Sequence, residues 1–167
     1  QICWNPRIWM DALTFGWTVE ADIVPGLTDC LFIWGTNPVV CNSDAFLGHW
    51  IVEAMKRGSE LVAIDPQLTW IASKARHWLR LRPGTDAALA LGMMNVIINE
   101  DLYDHEFVDL WCYGFDALAE RVQEYPVDKV AEITTVDAED IKRVAHIIGT
   151  ERPIGWAWGL AFDQNKN

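Results

Sequence analysis

An α/β fold, with a mostly parallel sheet between two layers of helices, is what this sequence predicts, on three observations. Short continuous apolar runs, "CLFIWG", "LVAID" and "IGWAWG", alternate with longer segments of helical period, and a run apolar at every position suits a strand buried on both faces. Each run ends in Gly or Asp-Pro, which stop strands and start turns. The order strand, helix, strand, helix implies right-handed crossovers and therefore parallel neighbours. A length of 167 residues with 51% hydrophobic content is enough for one sizeable core, and one compact unit is expected.

Along the chain, residues 30–35 form the first strand. Residues 43–58, "SDAFLGHWIVEAMKRG", open on a capping Ser, repeat apolar residues at helical spacing and stop at Gly58 after two bases, which favours a helix. Residues 61–65 give a second strand, Thr69 to Lys74 a short helix, and the alternating "HWLRL" (77–81) a third strand. "RPGTD" then turns the chain into a helix over 85–99, with Thr85 as N-cap and Asp86 in the first turn. "DHEFVDLWCY" (104–113) is a helix with Phe107, Leu110 and Trp111 on one face. "FDALAERVQEY" and "DAEDIKRVAHIIG" are further amphipathic helices, and residues 154–159 a last strand. Residues 1–28 and the tail after Gly159 are expected to be irregular, and the opening "QICWNPRIWM" suggests a piece of a longer protein.

Charge and composition exclude several functions. Thirteen Lys+Arg against 24 Asp+Glu give a net charge of -11, which repels a nucleic-acid backbone. No apolar window has the length of a membrane span, and no signal-peptide pattern indicates a compartment. Cys3, Cys30, Cys41 and Cys112 contain no CxxC pair, so their spacing gives neither a zinc site nor an iron-sulfur cluster, and each is read as a small buried residue. "HEFVD" (105–109) misses the zinc motif HExxH because Asp109 replaces the second His. His49, His77 and His146 sit in amphipathic contexts as structural residues, and there is no GxSxG elbow. Most of the ten Trp fall at core periodicity; Trp4, Trp9 and Trp17 do not.

Open parallel sheets bind ligands beyond the carboxyl ends of their strands. Those ends here are "GTNP" (35–38), "DPQLT" (65–69) and "RPGTD" (82–86). Each has an ordinary explanation as a turn, strand stop or helix cap; sharing one edge of the sheet, the three favour a ligand. None is GxGxxG, so a standard nicotinamide or flavin fold is disfavoured. Backbone N–H groups around Gly35 and Asn37 suit a pyrophosphate, because glycine lets the chain approach closely. Asp65 suits a ribose hydroxyl. Asp86 suits guanine, whose ring N–H and amino group both donate to one carboxylate.

The blocks "DCLFIWGTNPVV", "IDPQLTWIASKA", "RPGTDAAL" and "LYDHEFV", in this order and spacing from Asp29 to Gly159, resemble the molybdopterin oxidoreductases of the dimethyl sulfoxide reductase type. The resemblance implies a Rossmann-like three-layer α/β domain over 29–167, with 1–28 connecting from a preceding part. It implies a molybdenum or tungsten bis(molybdopterin guanine dinucleotide) cofactor. Gly35, Thr36, Asn37 and Pro38 would lie at the pyrophosphate, Asp65, Pro66 and Thr69 near the ribose, and Gly84, Thr85 and Asp86 at the guanine. The family's metal ligand precedes the GxNP block by about thirty residues, which leads to Cys3, whose thiolate suits a soft metal; its ordinary reading is a buried bystander. Trp4 stands where formate dehydrogenases of the family carry His, which speaks against formate chemistry. Gln67 replaces a common Arg, so one polar contact to the dinucleotide is lost or replaced.

By the same resemblance, the parent is a redox catalyst, with a 4Fe-4S cluster outside this segment and a role in anaerobic respiration. Its partners are the rest of the catalytic subunit, an iron-sulfur electron-transfer subunit and a small-molecule substrate, in a prokaryotic cell. The segment alone would not turn over. A non-redox hydratase or transhydroxylase, and a non-catalytic scaffold, are the alternatives that share these motifs.

Overall fold

Asn5–Phe15 form helix α1, where the sequence favours irregular chain. Pro6 sits in its first turn, where a missing N–H costs nothing, and Gly16, at φ +80°, ends it. The helix escapes sequence reasoning because it buries no clean stripe: Trp9, Met10, Leu13 and Phe15 are all exposed. The computed structural model describes residues 5–16, 28–41, 46–150 and 153–159.

The predicted strands form with small shifts at their ends. They are β1 (Cys30–Trp34), β2 (Glu60–Ile64), β3 (His77–Leu79) and β4 (Ile154–Trp158), in the sheet order β3-β2-β1-β4. β1 pairs in parallel with β2 on one side and β4 on the other, with Cys30 opposite Glu60 and Ile154. Every residue of β1 is buried, as a central strand of continuous apolar sequence requires. After β1 come α2 (Pro38–Cys41) and α3 (Phe46–Lys56), and after β2 comes α4 (Trp70–Lys74).

One face of the sheet, with Leu31, Ile33, Leu61, Ala63 and Ala157, packs on Ile51 and Ala54 of α3 and on Ile71 and Ala72 of α4. On the other face Phe32 stacks on Trp156 at 5.0 Å, and Trp34 meets the same indole at 6.0 Å.

Where composition predicts one compact unit, the chain forms two: residues 1–78 with 152–166, and residues 79–151. The first holds most of the sheet. The second is helical, with α5 (Asp86–Asn99), α6 (His105–Trp111), α7 (Phe115–Val122), α8 (Val127–Thr134) and α9 (Ala138–Thr150). α5 is its centre and packs on α7, α8 and α9. Buried Asn95 donates to the Val122 carbonyl at 2.9 Å, tying α5 to the end of α7. α8 is absent from the sequence prediction. It follows Pro126 and is rich in β-branched residues of modest helix propensity, so its stability comes from burying Val127, Val130 and Thr134 along one stripe.

Other expectations need correction. Phe107, Leu110 and Trp111 share a face of α6 but remain exposed, and no residue of that helix is buried. Cys41 and Cys112 are exposed; Cys30 is buried as expected. Of the tryptophans at core periodicity, Trp34 is buried and Trp78, Trp156 and Trp158 are half-buried, while Trp50, Trp70 and Trp111 are exposed; Trp9, outside that periodicity, is exposed as well. Cys3, Trp4 and Trp17 lie outside the described residues. Among those described, no helix is long and apolar enough to cross a membrane.

Candidate functional site

The order β3-β2-β1-β4 places a reversal of strand order at β1. The chain runs outward from β1 to β2 and β3, then returns to lay β4 on the opposite side. Ligands of open α/β sheets bind in the crevice outside the carboxyl ends of the strands at such a switch point. Gly35, Thr36 and Asn37 leave β1 there, and Gly159 leaves β4.

The loop after β1 is held tightly. Gly35 takes φ +60°, a conformation other residues adopt at a cost. Its N–H donates to the Ile64 carbonyl at 2.9 Å. That proton is therefore not offered to a ligand, which corrects one part of the pyrophosphate expectation. Gly35 contributes its shape, and the backbone beyond it is left to approach a ligand. The Asn37 carbonyl accepts from Val40 and Cys41 at 2.9 and 2.8 Å, and Pro38 is buried at the start of α2. Gly48 of α3 comes close to Pro38: a Cβ on Gly48 would stand 3.2 Å from the Pro38 carbonyl oxygen.

Asn37 is the residue of chemical interest in this loop. Its side-chain Oδ1 is buried and finds no hydrogen-bond partner among the described residues. Buried polar atoms are ordinarily satisfied, and an orphan costs about 1–3 kcal/mol. An acceptor left in this way at a switch point suits a ligand carrying an N–H or O–H donor.

At the end of β2, the Asp65 carboxylate accepts from the Gln67 N–H at 2.7 Å, and its carbonyl accepts from the Trp78 indole at 2.9 Å. These bonds fix the Asp65-Pro66 turn, with both residues half-buried. Thr69 caps α4: its Oγ1 accepts from the Ala72 N–H at 3.0 Å. Gln67 is exposed.

The second unit carries the remaining predicted residues. The Arg82 N–H donates to the Thr134 carbonyl at 2.7 Å, so the turn is pinned to the end of α8. Gly84 takes φ +81°. Thr85 occupies the N-cap position, but its side chain caps nothing: the hydroxyl donates back to the Arg82 carbonyl at 2.6 Å. The turn competes successfully for that hydroxyl, as short polar side chains often allow. Asp86 opens α5 and is buried, with 6% exposure, where the helix dipole favours its charge.

No cluster of three or more His, Cys, Asp or Glu side chains able to hold a metal occurs among the described residues. His77 and His146 pair with Glu60 and Glu100 at 3.1 and 2.8 Å, as structural residues do, while His49 is exposed on α3. Asp109 of the HExxH near miss is exposed on α6. Gly159, which packs against Gly35 at the exit of β4, was not singled out from the sequence. Its only sequence signal is that it follows a strand run at its carboxyl end.

Comparison with known proteins agrees with this architecture. The molybdopterin oxidoreductase family model matches residues 17–166. Acetylene hydratase of Syntrophotalea acetylenica is 57% identical over 114 residues, covering 68% of this chain and 16% of that protein. Formate dehydrogenase H of Escherichia coli is 30% identical over 137 residues, covering 82% of this chain and 19% of that protein. The solved structure of acetylene hydratase from Pelobacter acetylenicus superposes with a TM-score of 0.85 at 43% identity, over 98% of this chain and 22% of that one. The chain thus spans about a fifth or less of the relatives it matches. The family implies a molybdenum or tungsten pterin cofactor. The chain belongs to the molybdopterin oxidoreductase family.

Proposed function

We propose that this chain, chiefly residues 29–167, is the part of a molybdenum or tungsten enzyme's catalytic subunit that holds one guanine dinucleotide of a bis(molybdopterin guanine dinucleotide) cofactor. The observation that carries the reading is the orphaned Oδ1 of Asn37 in a pinned loop at the sheet's switch point. The residues fit the group. Gly35 lets the chain turn at the pyrophosphate without a side chain in the way, with Thr36 and Pro38 beside it, while the Asn37 Oδ1 would accept from an N–H or O–H elsewhere on the dinucleotide, because the pyrophosphate itself carries no donor. Asp65, Pro66 and Thr69 serve the ribose, and Gly84, Thr85 and Asp86 the guanine, where a carboxylate pairs with the ring N–H and amino group. Cys3 is the proposed metal ligand.

When bound, the cofactor supplies a metal centre able to exchange electrons or to polarise a metal-bound substrate. The chain's own part is to bind and orient. In the parent we place a 4Fe-4S cluster outside this segment, contacts with the rest of the catalytic subunit, and a small-molecule substrate. For an oxidoreductase, an iron-sulfur electron-transfer partner and a role in anaerobic respiration follow. A second reading has a specific support: the 57% identity to acetylene hydratase favours non-redox hydration over the redox chemistry that the motifs alone suggest. Exchange of electrons with a dye, in either direction, by the purified parent with substrate distinguishes the two.

The cofactor assignment is tested in the full-length catalytic subunit by acid release of GMP and by metal analysis. Asp86→Ala lowers both while leaving the fold intact. Unchanged GMP and metal in that variant contradict the role given to Asp86.

A further inference from the structure

We propose that Gly159 is a positioning residue for the dinucleotide loop after β1; this rests on the cofactor reading above. The Gly159 N–H donates to the Trp34 carbonyl at 3.0 Å, drawing the exit of β4 against the exit of β1. A Cβ at residue 159 would lie 2.2 Å from the Gly35 carbonyl oxygen, 2.9 Å from the Gly35 carbonyl carbon and 2.8 Å from the Thr36 Cβ. Two of these three atoms are backbone, so no rotamer change relieves the collision.

The loop has no easy retreat. The Gly35 N–H is held by the Ile64 carbonyl, and the Asn37 carbonyl by Val40 and Cys41. Any side chain at 159 therefore displaces Gly35 and Thr36 together and carries the Asn37 Oδ1 out of register with its ligand. Gly58 and Gly84 differ in kind. Both take positive φ, and nothing lies within 4 Å of a Cβ placed on either. Their role is backbone conformation, while that of Gly159 is close approach.

The experiment compares the full-length catalytic subunit with its Gly159→Ala and Gly58→Ala variants. Gly58 precedes β2, at the end of the sheet away from the site, and controls for general strain. GMP per folded molecule, its rate of loss on dilution and the unfolding midpoint are measured together. Gly159→Ala loses nucleotide about tenfold faster than Gly58→Ala of similar midpoint, because the Gly35 carbonyl is displaced only in the first. Equal loss rates in the two variants overturn the proposal. A Gly159→Ala variant that yields no folded protein, where Gly58→Ala folds, also overturns the proposal, because the glycine is then required by the fold rather than by the loop. Wild-type parent without GMP overturns the cofactor reading itself, whereas wild-type retention by Gly159→Ala overturns only the positioning role.

Discussion

The Asn37 amide has one oxygen buried without a hydrogen-bond partner among the described residues, so its removal has opposite consequences in the empty and loaded protein. In the cofactor-free parent, Asn37→Ala deletes an unsatisfied acceptor and leaves the unfolding midpoint unchanged or slightly higher. In the loaded parent the same substitution removes a ligand hydrogen bond worth roughly 1 kcal/mol, about a fivefold to tenfold loss in nucleotide retention. A fall in stability of the cofactor-free form contradicts this role for the atom. Thr69 separates two roles in another way. Its Oγ1 already accepts from Ala72, and the hydroxyl hydrogen is not used by that bond. Thr69→Ala costs about 1 kcal/mol through loss of the cap. Thr69→Asp keeps the cap and loses the donor, so urea unfolding is preserved while nucleotide retention falls severalfold.

Among the elements, those with a strong local signal were legible in the sequence. β1, β2 and β4 are continuous apolar runs, and α5, α7 and α9 follow helical spacing with acids in the first turn of each. α1 and α8 were not legible, for different reasons: α1 leaves its large apolar residues exposed, and α8 draws its stability from packing on α5 and α9. Gly92 marks that packing, since a Cβ there would stand 2.8 Å from both methyl groups of Val130. Gly92→Ala therefore destabilises the second unit by about 1–3 kcal/mol through overpacking, despite alanine's higher helix propensity. Urea unfolding measures it, and a stabilised variant refutes the close contact. On the exposed side of α9, the Glu139 carboxylate at 2.8 Å holds the Lys142 ammonium above its usual lysine range. Its contribution is fully present below the unfolded lysine pKa and is lost as pH rises through the raised folded value. Lys142→Ala leaves the melting temperature at neutral pH nearly unchanged, as exposed pairs do.

For the whole molecule, the parallel sheet was legible in the order of runs, but the strand order that makes β1 a switch point and the partition into two units were not. Periodicity reports which residues seek burial and is silent on which core receives them. The same limit explains the candidate site. Turn formers at the strand ends were visible as letters, whereas the approach of Gly159 to Gly35 arises from a pairing between strands more than a hundred residues apart. Whether this segment grips a guanine-bearing pterin cofactor is decided by acid-released GMP per metal atom in the purified full-length catalytic subunit. Two GMP per molybdenum or tungsten are expected in the wild type, with a marked loss in Asn37→Ala and Asp86→Ala. Metal-loaded parent that releases no GMP, or variants that release it at the wild-type ratio and rate, would contradict the assignment.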